Sequence, residues 1–233
     1  MPQNPPQSLG KKIKTFFRKR EAFRLLRKYH SENLSIEDRT SWAMNFGGSG
    51  PFKIKTIQKP SEITALAHAV AELKPKVILE IGTAKGGTLL IWSSIATDRV
   101  ITCDISDMSV QADLYKSLPP PGSSCKVELL VGDSHSVGFK KRVAETLGDQ
   151  KVDFLFIDGD HTLQGVTADY NNYREFVRPG GIIAFHDILE NQPLEVNQVF
   201  HLWKELKKEC DTEEFVDDYD QCGYGIGIIR LAS

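Results

Sequence analysis

The sequence predicts an open α/β sheet, mostly parallel, with helices on both faces. Short apolar runs rich in β-branched and aromatic residues alternate with segments of helical periodicity from residue 61 onward. Parallel strands need crossovers of the length these helical segments supply. The chain has 233 residues, 40% apolar and 26% charged, which suits a soluble globular protein with a substantial core.

Taken in order, Met1–Gly10 is rich in Pro and Gln and reads as a disordered tail. Lys11–His30 is a helical candidate dense in cations that also carries Ile13, Phe16, Phe17, Phe23, Leu25 and Leu26. Ser31–Lys59 reads as irregular, punctuated by Gly47-Gly-Ser-Gly50 and Pro51. Ser61 suits the N-cap of a helix over Glu62–Leu73. The alternation then runs strand Val77–Ile81, helix Gly87–Ala96, strand Val100–Cys103, helix Val110–Ser117 and strand Val127–Val131. It continues with helix Val137–Leu147, strand Val152–Ile157, helix Leu163–Val177, strand Ile182–Phe185 and helix Val196–Cys210. Two last strands, Glu213–Val216 and Gly225–Leu231, flank a turn at Asp220-Gln-Cys-Gly223. With no helix between them, one strand near the C-terminus is expected to run antiparallel. The division expected is a basic helical extension over residues 1–57 and a main domain over 58–233.

Charge is unevenly spread. Residues 1–30 hold nine Lys or Arg against Glu21 alone, a net +8, while the whole chain carries −2. The body therefore gives no reason to expect nucleic acid. The basic helix suits an anionic membrane surface, or packing on its own domain or on a second subunit as a homo-oligomer. Cys103, Cys125, Cys210 and Cys222 lack metal-site or redox-motif spacing and read as reduced thiols. There is no apolar run of membrane-spanning length and no signal-peptide core, so a cytoplasmic location is expected.

The chemistry gathers where strands end. Phe156-Ile-Asp158-Gly-Asp160-His161 and Gly180-Gly-Ile-Ile-Ala-Phe-His186-Asp187 close two apolar runs. In an open α/β sheet, ligands bind beyond the carboxyl ends of the strands. Asp158, Asp160, His161, His186 and Asp187 would then meet in one volume fit for a divalent metal and proton transfer. The plainer reading makes Asp158 and Asp160 helix caps, His186 a hydrogen-bonded strand-end histidine and Asp187 a turn residue. His68, His135 and His201 read as structural or exposed.

The first strand leads into a glycine turn, Leu79-Glu80-Ile-Gly82-Thr83-Ala-Lys-Gly86-Gly87-Thr88. Gly82 and Gly86 permit tight geometry and close ligand approach, and the helix that follows offers free N–H groups to an anion. Asp104 ends the next strand, where an acid can hold ribose hydroxyls, and Asp133-Ser134 follow the third, at an adenine edge. Ala84 stands where a dinucleotide-binding turn needs its central glycine, which argues against a nicotinamide-dependent oxidoreductase, the rival on a similar sheet. A non-catalytic cofactor-binding protein is the other rival. Gln58-Lys-Pro60-Ser-Glu62 either covers the cofactor or starts a helix. Trp42 and Phe46 either line a pocket or pack on the sheet, with packing preferred. Glu190-Asn-Gln-Pro193 is the candidate acceptor loop.

At these residues the sequence resembles the class I S-adenosylmethionine-dependent methyltransferases. Within them it is most similar to metal-dependent O-methyltransferases of the catechol and macrolide-sugar type, over roughly Gln58–Leu231. The resemblance implies a Rossmann-like, doubly wound, seven-stranded sheet whose last strand is antiparallel. It implies cofactor contacts at Glu80, Gly82, Thr83, Gly86, Thr88, Asp104, Asp133, Ser134 and Asp158. It implies a divalent metal on Asp158, His186 and Asp187, with His161 as general base. His186 departs from the family's usual carboxylate, and imidazole there favours a transition metal over magnesium. The activity implied is methyl transfer to a hydroxyl of a small molecule, such as a sugar or glycosylated metabolite, with metal-free O-transfer or N-transfer as alternatives.

Overall fold

The computed structural model describes residues 9–233; the tail expected over Met1–Gly10 lies, up to Ser8, outside them. Seven strands form one sheet: β1 (Val77–Ile81), β2 (Arg99–Asp104), β3 (Lys126–Val131), β4 (Val152–Ile157), β5 (Val177–His186), β6 (Thr212–Phe215) and β7 (Ile226–Arg230). Their order is β3-β2-β1-β4-β5-β7-β6. β1 to β5 are parallel, and β7 runs antiparallel between β5 and β6, as the helix-free C-terminal strand pair predicts.

Alternation along each strand divides the core in two. Ile78, Val100, Phe154, Phe156 and Ala184 face one side, covered by α1 (Leu9–Ser31), α2 (Ile36–Asn45), α3 (Pro60–Leu73), α4 (Gly87–Ile95) and α5 (Ala112–Lys116). Leu79, Ile81, Ile101, Leu155 and Phe185 face the other, under α6 (Val137–Leu147), α7 (Leu163–Tyr173) and α8 (Val199–Glu209). Both faces being covered explains why the strands read as continuous apolar runs. Trp92 on α4 anchors the first layer edge-on, 5.0 Å from the Phe154 ring and 5.6 Å from Phe156. Each such aromatic pair adds about 1 kcal/mol beyond burial.

Several boundaries differ from expectation. α2 lies inside the stretch expected to be irregular, and its start is a capping box in which Ser35 accepts from the Asp38 amide and Asp38 from that of Ser35. α3 begins at Pro60 rather than after Ser61, because proline suits the first helical position; the Ser61 hydroxyl instead donates to Asp217 at 3.0 Å. α7 stops at Tyr173, a 3-10 turn spans Arg174–Phe176, and β5 starts at Val177 rather than Ile182. The Val152 and Phe154 pairings with β5 are out of step, so the extra residues around Pro179-Gly-Gly181 form a bulge. Trp42 and Phe46 pack, with ring centroids 5.9 Å apart. The four cysteines are free. No described helix is long and apolar enough to cross a membrane.

Candidate active site

Register fixes where the chemistry falls. Ile81 is level with Cys103 and Ile157, and Ile157 with Phe185, so residues 82, 104, 158 and 186 emerge along one edge. Strand order reverses there, between β1 and β4, which opens a crevice. Two adjoining clefts occupy it. One, about 510 Å³, is bounded by Gly82, Asp104, Asp133, Ser134, His135 and Asp158. The other, about 520 Å³, runs from Gly82, Thr83 and Thr88 past Asp158 to His161, His186 and Asp187. The clefts share Gly82, Ala84, Asp158 and Gly159 and make one trough across the strand ends.

The glycine turn is built by close backbone approach. A Cβ on Gly82 would collide with the Asp158 carbonyl, and one on Gly87 with the backbone of Lys55 and Thr56. Those glycines therefore serve chain packing as well as any ligand. Ala84 takes the left-handed conformation, φ 45°, where the nucleotide fingerprint has glycine. Its N–H donates to Asp104 Oδ2 at 2.7 Å, and Ser106 N–H donates to Asp104 Oδ1 at 2.7 Å.

Four of the five strand-end groups converge. Asp158 Oδ1 lies 3.1 Å from both His161 Nε2 and His186 Nδ1. Asp187 Oδ2 is 3.5 Å from His161 Nδ1, and its Oδ1 is 3.5 Å from His186 Nδ1. Asp158, His161 and His186 present ligand atoms all within 4.8 Å of one another. Asp187, at φ 62°, is held by the Tyr224 amide at 3.1 Å and Asn197 Nδ2 at 2.7 Å. Gln58 Nε2 donates to the second oxygen of Asp158 at 2.9 Å, so the residues ahead of α3 cover the cluster and start the helix at once. Gln192 and Pro193 of the expected acceptor loop line the same cleft. Asp160 does not join; its carboxylate accepts from the Thr162 amide at 2.9 Å and shapes the turn into α7.

Charge couples these groups. Burial penalises the Asp158 carboxylate, but the two imidazoles outweigh it and hold the carboxyl well below its ordinary range. Burial likewise disfavours both imidazolium ions, yet the Asp158 carboxylate, seconded by Asp187, raises His161 and His186 above the usual histidine value. His186 Nε2 is buried without a hydrogen-bond partner, as is Gln58 Oε1. The His186 nitrogen that faces the carboxylates is Nδ1, 3.1 Å from Asp158 and 3.5 Å from Asp187.

Two expected cofactor residues line neither cleft. Glu80 is fully buried on the α4 side, accepting from the Thr102 hydroxyl at 2.6 Å, and that hydroxyl lies 2.5 Å from Thr83 Oγ1. Gly86, at φ 68°, caps α4 against the Tyr115 ring. Conversely, His135, expected to be structural or exposed, lines the Asp104–Asp133 cleft with Nε2 3.4 Å from the wholly buried Asp169. Burial pushes Asp169 up to about 6. Glu62 was also missed. It is a buried carboxylate on α3 that accepts from Gly225 N–H at 2.9 Å and Gln221 Nε2 at 2.7 Å, pinning the segment that presents Tyr224.

Comparison with known proteins agrees in fold. Residues 79–188 match a family model described as a methyltransferase domain. A stretch of 36 residues is 53% identical to an uncharacterized protein of Acanthamoeba polyphaga mimivirus, a match spanning 16% of either chain. The O-methyltransferase TomG of Streptomyces achromogenes, involved in tomaymycin synthesis and solved with S-adenosylmethionine, superposes with a TM-score of 0.57 at 16% identity, covering 87% of this chain and 92% of that one. MycE, a methyltransferase of the mycinamycin biosynthetic pathway solved with Mg, S-adenosylhomocysteine and mycinamycin VI, superposes with a TM-score of 0.53 at 19% identity. The alignment covers 72% of this chain and 48% of MycE.

Proposed function

We propose, starting from the match of residues 79–188 to a methyltransferase-domain model, that this chain transfers a methyl group from S-adenosylmethionine to a hydroxyl of a small molecule. The acceptor class proposed is a sugar or glycosylated metabolite. The observation that carries this reading is the cluster of Asp158, His161, His186 and Asp187 at the end of a trough that begins at the glycine turn. The complexes of TomG and MycE support the same reading. The boundary at residue 58 belongs to the proposal, since Gln58 is where the chain first reaches the cluster.

The trough fits an elongated nucleoside-bearing ligand. Gly82, Thr83 and Thr88 would flank its amino-acid end, with Glu80 and Gly86 setting the turn from behind. Asp104 would take the ribose, Asp133 and Ser134 the adenine, and Asp158 would lie near the sulfonium. Such a ligand supplies an electrophilic methyl group that needs little activation. The nitrogen–oxygen donor set, with His186 Nδ1 turned toward both carboxylates, fits a divalent cation on Asp158, His186 and Asp187. A cation there supplies charge that stabilises an alkoxide.

A neutral hydroxyl is a poor nucleophile, so the chain's work is on the acceptor. With His161 Nε2–H donating to Asp158, the free lone pair sits on Nδ1, which takes the acceptor proton. Asp187 Oδ2 then faces the protonated Nδ1 and stabilises it. Gln192 and Pro193 bound the acceptor side and orient the hydroxyl in line with the methyl group.

Calorimetry with S-adenosylhomocysteine and NAD tests the cofactor; binding of NAD alone would return the oxidoreductase reading. Turnover on an acceptor panel, with and without chelator, tests the rest. Activity indifferent to chelation and to His161→Ala would exclude the metal-and-base version and leave metal-free O- or N-transfer.

A further inference from the structure

The cationic helix α1 is two halves that the fold treats differently. Its C-terminal half packs, with Ala22, Leu26 and Tyr29 buried in the core on the α4 side of the sheet. Lys19 pairs with Asp113 at 2.5 Å and His30 with the Leu118 carbonyl at 3.0 Å, so α1 runs in the same direction as α5. Since α5 leads away from the end of β2, the N-terminal half of α1 points to the sheet edge where the trough opens. Ahead of Lys19 no described side chain is buried.

That projecting half has a definite chemistry. Ile13, Phe16 and Phe17 are 48, 56 and 60% exposed and, at spacing i, i+3, i+4, share one face. Lys12, Lys14, Arg18 and Arg20 surround them, all exposed. Neighbouring bulky apolar side chains left in water mark an interaction site. Large apolar residues within a dense cation field are the composition of a helix lying in an anionic lipid interface.

We infer that residues 12–20 dock on an anionic bilayer, with Ile13, Phe16 and Phe17 entering below the headgroups and the surrounding cations pairing with them. Charge selects this occupant. A symmetric contact with a second copy would set like charges against each other. An uncharged apolar partner would leave the cations unanswered. The same docking would hold the trough on the bilayer side of the molecule.

Flotation of the full chain with phosphatidylcholine vesicles, and with vesicles of equal parts phosphatidylcholine and phosphatidylserine, tests the inference. Binding is expected only to the anionic vesicles, falling with added salt. Phe16→Ser/Phe17→Ser and Lys12→Glu/Lys14→Glu should each lower it about tenfold or more, with unchanged circular dichroism. No flotation, equal flotation on neutral vesicles, or flotation untouched by both double variants would overturn it. So would a concentration-dependent dimer abolished by Phe16→Ser/Phe17→Ser, which would make this face a contact between copies.

Discussion

The amide of Ala84 donates to Asp104 Oδ2 at 2.7 Å, and this bond ties the turn after β1 to the end of β2. To make it, Ala84 holds φ at 45°, a conformation costing an L-residue about 1 kcal/mol. Ala84→Gly should therefore raise the free energy of unfolding by about 0.5–1 kcal/mol, read from urea melts, without loss of cofactor binding. Asp104→Ala should do the reverse. It frees the Ala84 and Ser106 amides together and should weaken S-adenosylhomocysteine binding at least tenfold by calorimetry, each charge-assisted bond contributing about 1.5–3 kcal/mol.

With His161 as the proposed base, its raised pKa should set the pH profile. A base works deprotonated, so kcat/KM should climb with pH along a limb whose midpoint lies above the ordinary histidine value. His161→Gln should lower kcat by about 10²–10⁴-fold and flatten that limb. Persistence of the limb in the variant would assign it to another group.

The four convergent side chains should bind a transition ion in solution. Titration with Mn²⁺ followed by calorimetry is expected to show one site, with Asp158→Asn and His186→Ala each weakening it at least about tenfold. Asn197→Ala should weaken it less, because Asn197 orients Asp187 at 2.7 Å and holds no place in the cluster.

Glu80 should make the protein less stable as pH rises. Its burial, opposed by hydrogen bonds from Thr102 and Thr88, pushes the carboxyl up to about 7. The unfolded chain releases that proton near the ordinary value of about 4.3. Stability from this group is full below that point and is lost as pH climbs through about 7. Glu80→Gln should flatten the decline and exceed the wild type above pH 7 by on the order of a few kcal/mol, measured by urea unfolding across pH.

Strand ends were legible because a buried parallel sheet writes itself as apolar runs closed by Asp, Gly and His. The convergence of Asp158, His161, His186 and Asp187 follows from β4 and β5 being neighbours, which the alternation implies. What sequence missed is what long-range contacts create. His135 gains meaning only from Asp169, brought to it by α7 across the sheet edge. Glu62 looks like an ordinary first-turn acid until Gly225 arrives from the far end of the chain. α2 does carry a local signal: Ser35 and Asp38 spell its cap, beside glycines that favour a loop. Glu80 and Gly86 sit in a ligand-like motif yet serve the turn from behind.

Gln58 grips Asp158, and one helical turn further on Glu62 grips the approach to β7. Opposite banks of the trough are thus riveted to the head of a single helix and cannot drift apart independently. On the proposed acceptor side the exposed apolar rim lies outside that clamp, on Leu194 and Val196, 64 and 57% exposed, so substitutions there should alter which acceptor is used while sparing the frame.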